Sequence, residues 1–168
     1  MNSITEITKQ LSLNTRLFRN VLEGISETES VKRMNEHTNH LRWIAGHLVG
    51  NRYRNSVRMG IKPAPFVPMD KYFIPDAPPP GNRSYDPTLQ YPELKELLHS
   101  WDLYSGPWIE AIGNSTPDQL ATVLPSQLPL GNTLLDAYAF IASHEIYHIG
   151  QMSIIRRILG HDAMSFIK

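Results

Sequence analysis

Three histidines carry the clearest chemical signal in this chain: His144 and His148, four residues apart, and His47, far upstream of both. Residues four apart on a helix lie one above the other with Cβ atoms roughly 6 Å apart, so two imidazoles at that spacing can share a metal ion. The pair alone is a weak signal, since chance supplies about 0.3 such pairs in a chain of this length with seven histidines. Its surroundings strengthen it. Ile141, Ala142, Glu145, Met152 and Ile155 bracket the pair and direct it at or near a helical interior, where an unpaired polar ring is costly. His47 stands among Ile44, Leu48 and Asn51, on or beside a second apolar stripe. A lone histidine there is more often a hydrogen-bonded core residue than a ligand. Two interior histidines on one helix and a third on another are better explained by one shared divalent ion. Three neutral imidazoles suit zinc or nickel first, with iron, copper or manganese as further candidates, and leave positions open for water or substrate.

Two rival motifs overlap these residues. His144-Glu145-Ile146-Tyr147-His148 satisfies the H-E-x-x-H pattern of zinc peptidases, in which the glutamate activates a water. The longer form of that pattern needs glycine and histidine where Gln151 and Ile154 stand, and no glutamate follows Glu145. Glu96-x-x-His99 and Glu145-x-x-His148 together have the spacing of a di-iron site. Glu96 and His99 flank an apolar stripe and are expected to face solvent, and that site would leave His47 without a role.

Other polar residues read more plainly. Arg52, Arg54 and Arg58 make a basic end to the segment carrying His47, which usually means a solvated face complementing the helix dipole. Arg52 is nevertheless placed to reach a carboxylate or a thiol cofactor near the metal, and Asn51 and Tyr147 are further candidates for a pocket lining. Glu145, about 100° round the helix from His144, is the nearest acid and an alternative partner for an arginine of a neighbouring helix. His37, His40 and His161 have polar or terminal surroundings and are expected at the surface.

The elements that must position the triad follow from periodicity. Ser3 and Glu6 have capping-box spacing, and Ile4, Ile7, Leu11, Leu17, Phe18, Val21 and Leu22 continue at helical period, predicting a first helix from about Ser3 to Leu22. A polar stretch from Ser26 to Thr38 links it to a second helix with Leu41, Ile44, Ala45, Leu48 and Val49 on one stripe, ending before Gly60. Residues 63–92 hold nine of the 13 prolines and cannot continue a helix, because proline lacks an amide donor and clashes with the preceding turn. This stretch reads as a long ordered crossover loop, anchored by Phe66, Tyr72, Phe73, Ile74 and Tyr85, with a lid as its candidate role.

A third helix is expected from near Pro92 to Gly113, with Leu94, Leu97, Leu98, Trp101, Tyr104 and Trp108 buried. Thr116-Pro117-Asp118 starts a short helical turn. The fourth helix, from Asn132 or Thr133 to Leu159, contains no proline, and Gly160 follows it as a C-terminal cap. With no strand signal between them, the fold class is all-α: a four-helix bundle with a long proline-rich crossover between helices 2 and 3, in one domain over residues 1–168.

Composition removes several function classes. Sixteen basic residues balance 16 acidic ones, so no long-range field draws a nucleic acid or an anionic membrane. Zero cysteines excludes a disulfide framework, a thiolate metal site and a cysteine nucleophile. The amino terminus lacks a signal-peptide pattern, and the longest apolar run, Ala137 to Ala142, is far short of the roughly 20 residues a membrane span needs; the expectation is a soluble cytoplasmic protein.

Trp43-Ile44-Ala45-Gly46-His47-Leu48 and His144-Glu145-Ile146-Tyr147-His148-Ile149-Gly150-Gln151, followed by Arg156-Arg157-Ile158-Leu159-Gly160, resemble the DinB-like metalloproteins. That superfamily of small four-helix bundles includes thiol-dependent S-transferases. In helix order and length the resemblance spans essentially the whole chain. It implies His47, His144 and His148 as a metal triad, a homodimer formed through helix faces, a small-molecule substrate, and transfer of a low-molecular-weight thiol to an electrophile, or a hydrolysis. A single open-coordination metal would serve either reaction by making a bound water or thiol more acidic. The competing class is a non-catalytic bundle whose metal has a structural or stress-related binding role.

Overall fold

The computed structural model describes residues 3–61 and 85–167. Helix α1, Ser3–Leu22, buries Ile4, Leu11, Leu17, Phe18, Val21 and Leu22 along one face, together with the polar Asn14. The Ser26–Thr38 link is not wholly irregular. It contains a single helical turn, α2 (Glu27–Ser30), because Ser26 and Glu29 close a capping box on it. Helix α3 runs Leu41–Arg58 and starts at an N-cap, His40, whose Nδ1 accepts from the Trp43 amide at 2.9 Å. Most of the proposed proline-rich crossover, residues 62–84, lies outside the described residues. Beyond it, Tyr85 stacks on Tyr91 and packs edge-on to His40, the apolar anchoring anticipated for it.

Helix α4, Leu94–Gly113, opens with a Glu93/Glu96 capping box and carries Pro107 inside, which removes one amide donor from the helix ladder. A turn of helix, α5 (Pro117–Leu120), follows, with Thr116 as N-cap and proline at the first position. The all-α class stands, but the expectation that no strand lies between the helices is corrected. Strands β1 (Val123–Leu128) and β2 (Gly131–Thr133) form an antiparallel hairpin of irregular register, Val123 opposite Thr133 and Leu128 opposite Gly131. The hairpin packs against the last helix, but Val123-Leu124-Pro125-Ser126-Gln127-Leu128 does not alternate apolar with polar residues and β2 is three residues long, so no strand period shows in the sequence. Gly131 is required at its turn: φ is +149°, and a Cβ there would lie 2.2 Å from Asp136 Oδ2. Asp136 is held close because it shares a capping box with Thr133, which starts helix α6 (Leu134–Ile158).

The described chain is thus mostly helical, and its four long helices close a ring of contacts: α1 packs on α4 and α6, and α3 packs on α4 and α6. Two apolar clusters fill it. One holds Phe18, Leu41, Leu48, Leu97 and Trp101, with Phe18 stacked on Trp101 at 4.0 Å between ring centres. The other holds Leu11, Trp108, Ile112 and Tyr138. Leu11, Leu48 and Leu97 have no exposed surface, and full burial of such a side chain is worth about 1.5–3 kcal/mol. Among the described residues no helix is long and apolar enough to cross a membrane.

Candidate metal centre

Helices α3 and α6 bring the three histidines together. His47 lies mid-way along α3, fully buried and stacked parallel to Trp43 one turn earlier, their ring centres 5.4 Å apart. His144 and His148 project from successive turns of α6, half-buried. His144 Nε2 is 3.2 Å from His47 Nε2 and 3.0 Å from His148 Nε2, and the three donor atoms lie within 4.8 Å of one another. Nitrogens bound at 2.0–2.1 Å to one ion lie about 3.3 Å apart at tetrahedral angles and about 3 Å apart at right angles, so the observed spacings suit a common ion. Among the described residues this is the group of histidines and carboxylates that could hold a metal, and it contains no fourth protein ligand.

The surrounding hydrogen bonds decide which ring nitrogen offers its lone pair. Gln151 Nε2 donates to the Tyr147 hydroxyl at 2.9 Å, leaving Gln151 Oε1 to accept from His148 Nδ1 at 2.7 Å. His148 therefore carries its proton on Nδ1 and turns a bare Nε2 toward the shared point, the usual outer-shell arrangement for a ligating histidine. Asn51 works on His47. Arg54 donates to Asn51 Oδ1, which leaves the Asn51 amide to donate to His47 Nε2 at 3.2 Å. His47 Nδ1 is buried with no hydrogen-bond partner among the described residues.

All three rings are kept neutral near pH 7. Burial pushes His47 down to about 2, helped by His148, His144 and the Arg54 guanidinium. Burial, with His148 and Arg54, lowers His144 to about 4. Burial also lowers His148, against the raising effect of Gln151. Neutral imidazole is the form that binds metal, so the donor set is in its ligating state at physiological pH.

The chain matches the family model of the DinB superfamily over residues 10–152. It belongs to that superfamily. The match covers both histidine segments and all four long helices in whole or in large part, whereas no curated protein matches the chain.

The remaining expectations divide. Asn51 and Tyr147 do stand at the triad, one hydrogen-bonded to His47 and the other linked to His148 through Gln151, with the Tyr147 side of α6 exposed. Arg52 does not occupy a solvated face. Its side chain has no exposed surface, and it forms a two-pronged ion pair with Glu145, Nε to Oε1 at 2.7 Å and Nη2 to Oε2 at 2.8 Å. Thr15, Ser105 and the Leu11 carbonyl accept its other N–H groups, and its guanidinium lies 3.5 Å from the Trp101 ring centre. The carboxylate it reaches is one of the chain's own.

This pairing also disposes of the peptidase motif. Glu145 Oε2 takes a further hydrogen bond from Asn14 at 3.1 Å, so both oxygens are engaged in the core, on a face of α6 turned away from the histidines' common point. The di-iron reading fails as well. Glu96 caps α4 by accepting from the Glu93 amide, and His99 is exposed. His37 is exposed as anticipated, but His40 and His161 are not surface groups: His40 is 1% exposed as the cap of α3, and His161 is half-buried against Glu29 at 3.1 Å. Gln151 and Asn14 were not singled out from the sequence. Gln151 could have been found as the residue three positions beyond His148 on the same face, whereas nothing local marks Asn14, whose partner lies 131 residues away.

Proposed function

We propose that this DinB-superfamily chain is a single-domain, four-helix-bundle enzyme that uses one divalent ion, held by His47, His144 and His148, to act on a small molecule. The observation that carries the reading is the convergence of three neutral Nε2 atoms at the spacing of one coordination sphere, with no fourth histidine or carboxylate in the group among the described residues. A bound ion there would act as a Lewis acid, lowering the pKa of whatever protic ligand fills the open position. Zinc or nickel fits the donor set first, with iron or manganese next.

The residues favour transfer of a low-molecular-weight thiol over hydrolysis. The one acid beside the triad in sequence, Glu145, is committed to Arg52 and Asn14, which leaves no carboxylate base from α6 at the histidines. A thiol with a pKa near 8.5 loses its proton at neutral pH with modest help, whereas water needs far more. The Asn51 amide supplies a polar group to a substrate entering there, and Tyr147, 62% exposed, stands at the rim behind His148. A homodimer is part of the same proposal. Tyr147, Ile154 and Ile158 are exposed on one stripe of α6, a face suited to a second copy. A dimeric parent beside a monomeric Ile154→Glu variant, by light scattering, would support it.

The activity test loads the protein with zinc, nickel, iron or manganese and offers a small thiol with an activated aryl halide, and separately an ester. Metal-dependent thiol transfer, lost in His148→Ala, is the expected result. No turnover of either kind with any of the metals contradicts the enzymatic reading.

A further inference from the structure

The Asn51 side chain is oriented toward a partner that it must exchange once a metal binds. Asn51 lies one turn beyond His47 on α3, and Arg54, a further three residues on, holds its Oδ1. The Asn51 N–H therefore points at His47 Nε2 across 3.2 Å. That nitrogen has a single in-plane lone pair, which a metal ion would occupy. The amide N–H then loses its acceptor while its other end stays fixed, at the edge of the coordination sphere. Gln151 and Tyr147 serve the opposite side of the site, behind His148, and do not compete for this place.

We infer that Asn51 is a positioning residue that donates a hydrogen bond to the non-protein ligand in the open coordination position, and that it thereby selects anionic ligands. The inference rests on the metal reading above. It assigns α3 a role beyond supplying His47: His47 is a ligand, Asn51 addresses what shares the metal with it, and Arg54 orients Asn51. A hydrogen bond to a charged acceptor contributes more than one to a neutral acceptor, so its loss weakens an anion more than a neutral ligand.

The test uses full-length protein loaded with cobalt(II), with azide as the anionic probe and imidazole as the neutral one, followed by visible absorption. Asn51→Ala should hold cobalt within about threefold of the parent and bind azide roughly tenfold or more weakly, with imidazole binding little changed. Asn51→Asp is nearly the same size but presents an acceptor in place of the donor, and should lose azide binding while retaining cobalt. Circular dichroism melts of both variants establish that they fold. Azide affinity equal in parent and Asn51→Ala overturns the inference. So does a collapse of cobalt affinity in Asn51→Ala to the level of His47→Ala, which would make Asn51 a ligand in its own right while leaving the metal reading intact. Failure of the parent itself to bind cobalt overturns the metal reading and this inference with it.

Discussion

Replacing Glu145 by alanine should leave Arg52 as an uncompensated charge in the centre of the protein, and the cost can be worked from the structure. The Arg52 and Glu145 side chains are both 0% exposed, and among the described residues no other carboxylate takes part in their hydrogen-bond network. Removing one partner of such a pair costs about 3–5 kcal/mol, because the remaining ion keeps its desolvation penalty and loses the attraction that offset it. Asn14 also loses an acceptor, although it still donates to the Ala142 carbonyl. For a domain of this size 1 kcal/mol corresponds to about 2–4 °C, so Glu145→Ala should melt about 6–20 °C below the parent. Arg52→Met alone should fall in the same range, leaving a buried carboxylate. The double variant Arg52→Met/Glu145→Leu should recover much of the loss, since two apolar side chains of similar volume leave nothing charged behind. Urea titration of the parent, Arg52→Met, Glu145→Leu and the double variant measures the cycle. Single substitutions that each cost under about 1 kcal/mol and add in the double variant would refute the claim that these two charges depend on each other.

Two further predictions concern other histidines and their partners. Burial, reinforced by Arg42 and Arg33, lowers His40 to about 4, while its unfolded value stays near 6.5. The unfolded chain therefore takes up the proton first, and the stability His40 contributes is complete above about pH 6.5 and lost as the pH falls toward 4, up to about 3 kcal/mol from this residue. His40→Asn keeps a capping side chain without the titration, so its stability should fall less steeply over that interval; identical slopes would contradict the assignment. Gln151→Ala removes the acceptor that orients His148, and should weaken metal binding about 10–100-fold by competitive chelator titration without lowering the melting temperature of the metal-free protein. Unchanged affinity would show that His148 is positioned by its backbone alone.

Helix α6 was legible almost to the residue, because a proline-free periodic stretch ran from a capping threonine to Gly160, whose φ of +94° is the left-handed stop that glycine favours. Helices α1, α3 and α4 were legible from their apolar periodicity, within about two residues at their ends, α4 despite Pro107 inside it. Local signals of this kind also gave the pairing of His144 with His148, whereas His47 was placed only by its apolar neighbours, and its distance from them in sequence made convergence an inference. What could not be read depended on remote partners. Arg52 reads as able to reach a carboxylate and Glu145 as a partner for some arginine, but nothing local joins the two across 93 residues or marks Arg52, one of a run of arginines, as buried. His40 looked like one more polar residue before a helix, although a histidine nitrogen can accept from an amide as an N-cap must. The β-hairpin has short strands whose sequence does not alternate apolar with polar residues, which leaves no periodicity to detect.

X-ray absorption at the metal edge of the full-length protein, with elemental analysis of the same sample, tests the histidine triad most directly. The expected result is close to one divalent ion per chain, with three imidazole nitrogens at about 2.0–2.2 Å, and occupancy lost in His47→Ala and His148→Ala. Metal content equal in the parent and both variants, or a first shell without imidazole scattering, would contradict it.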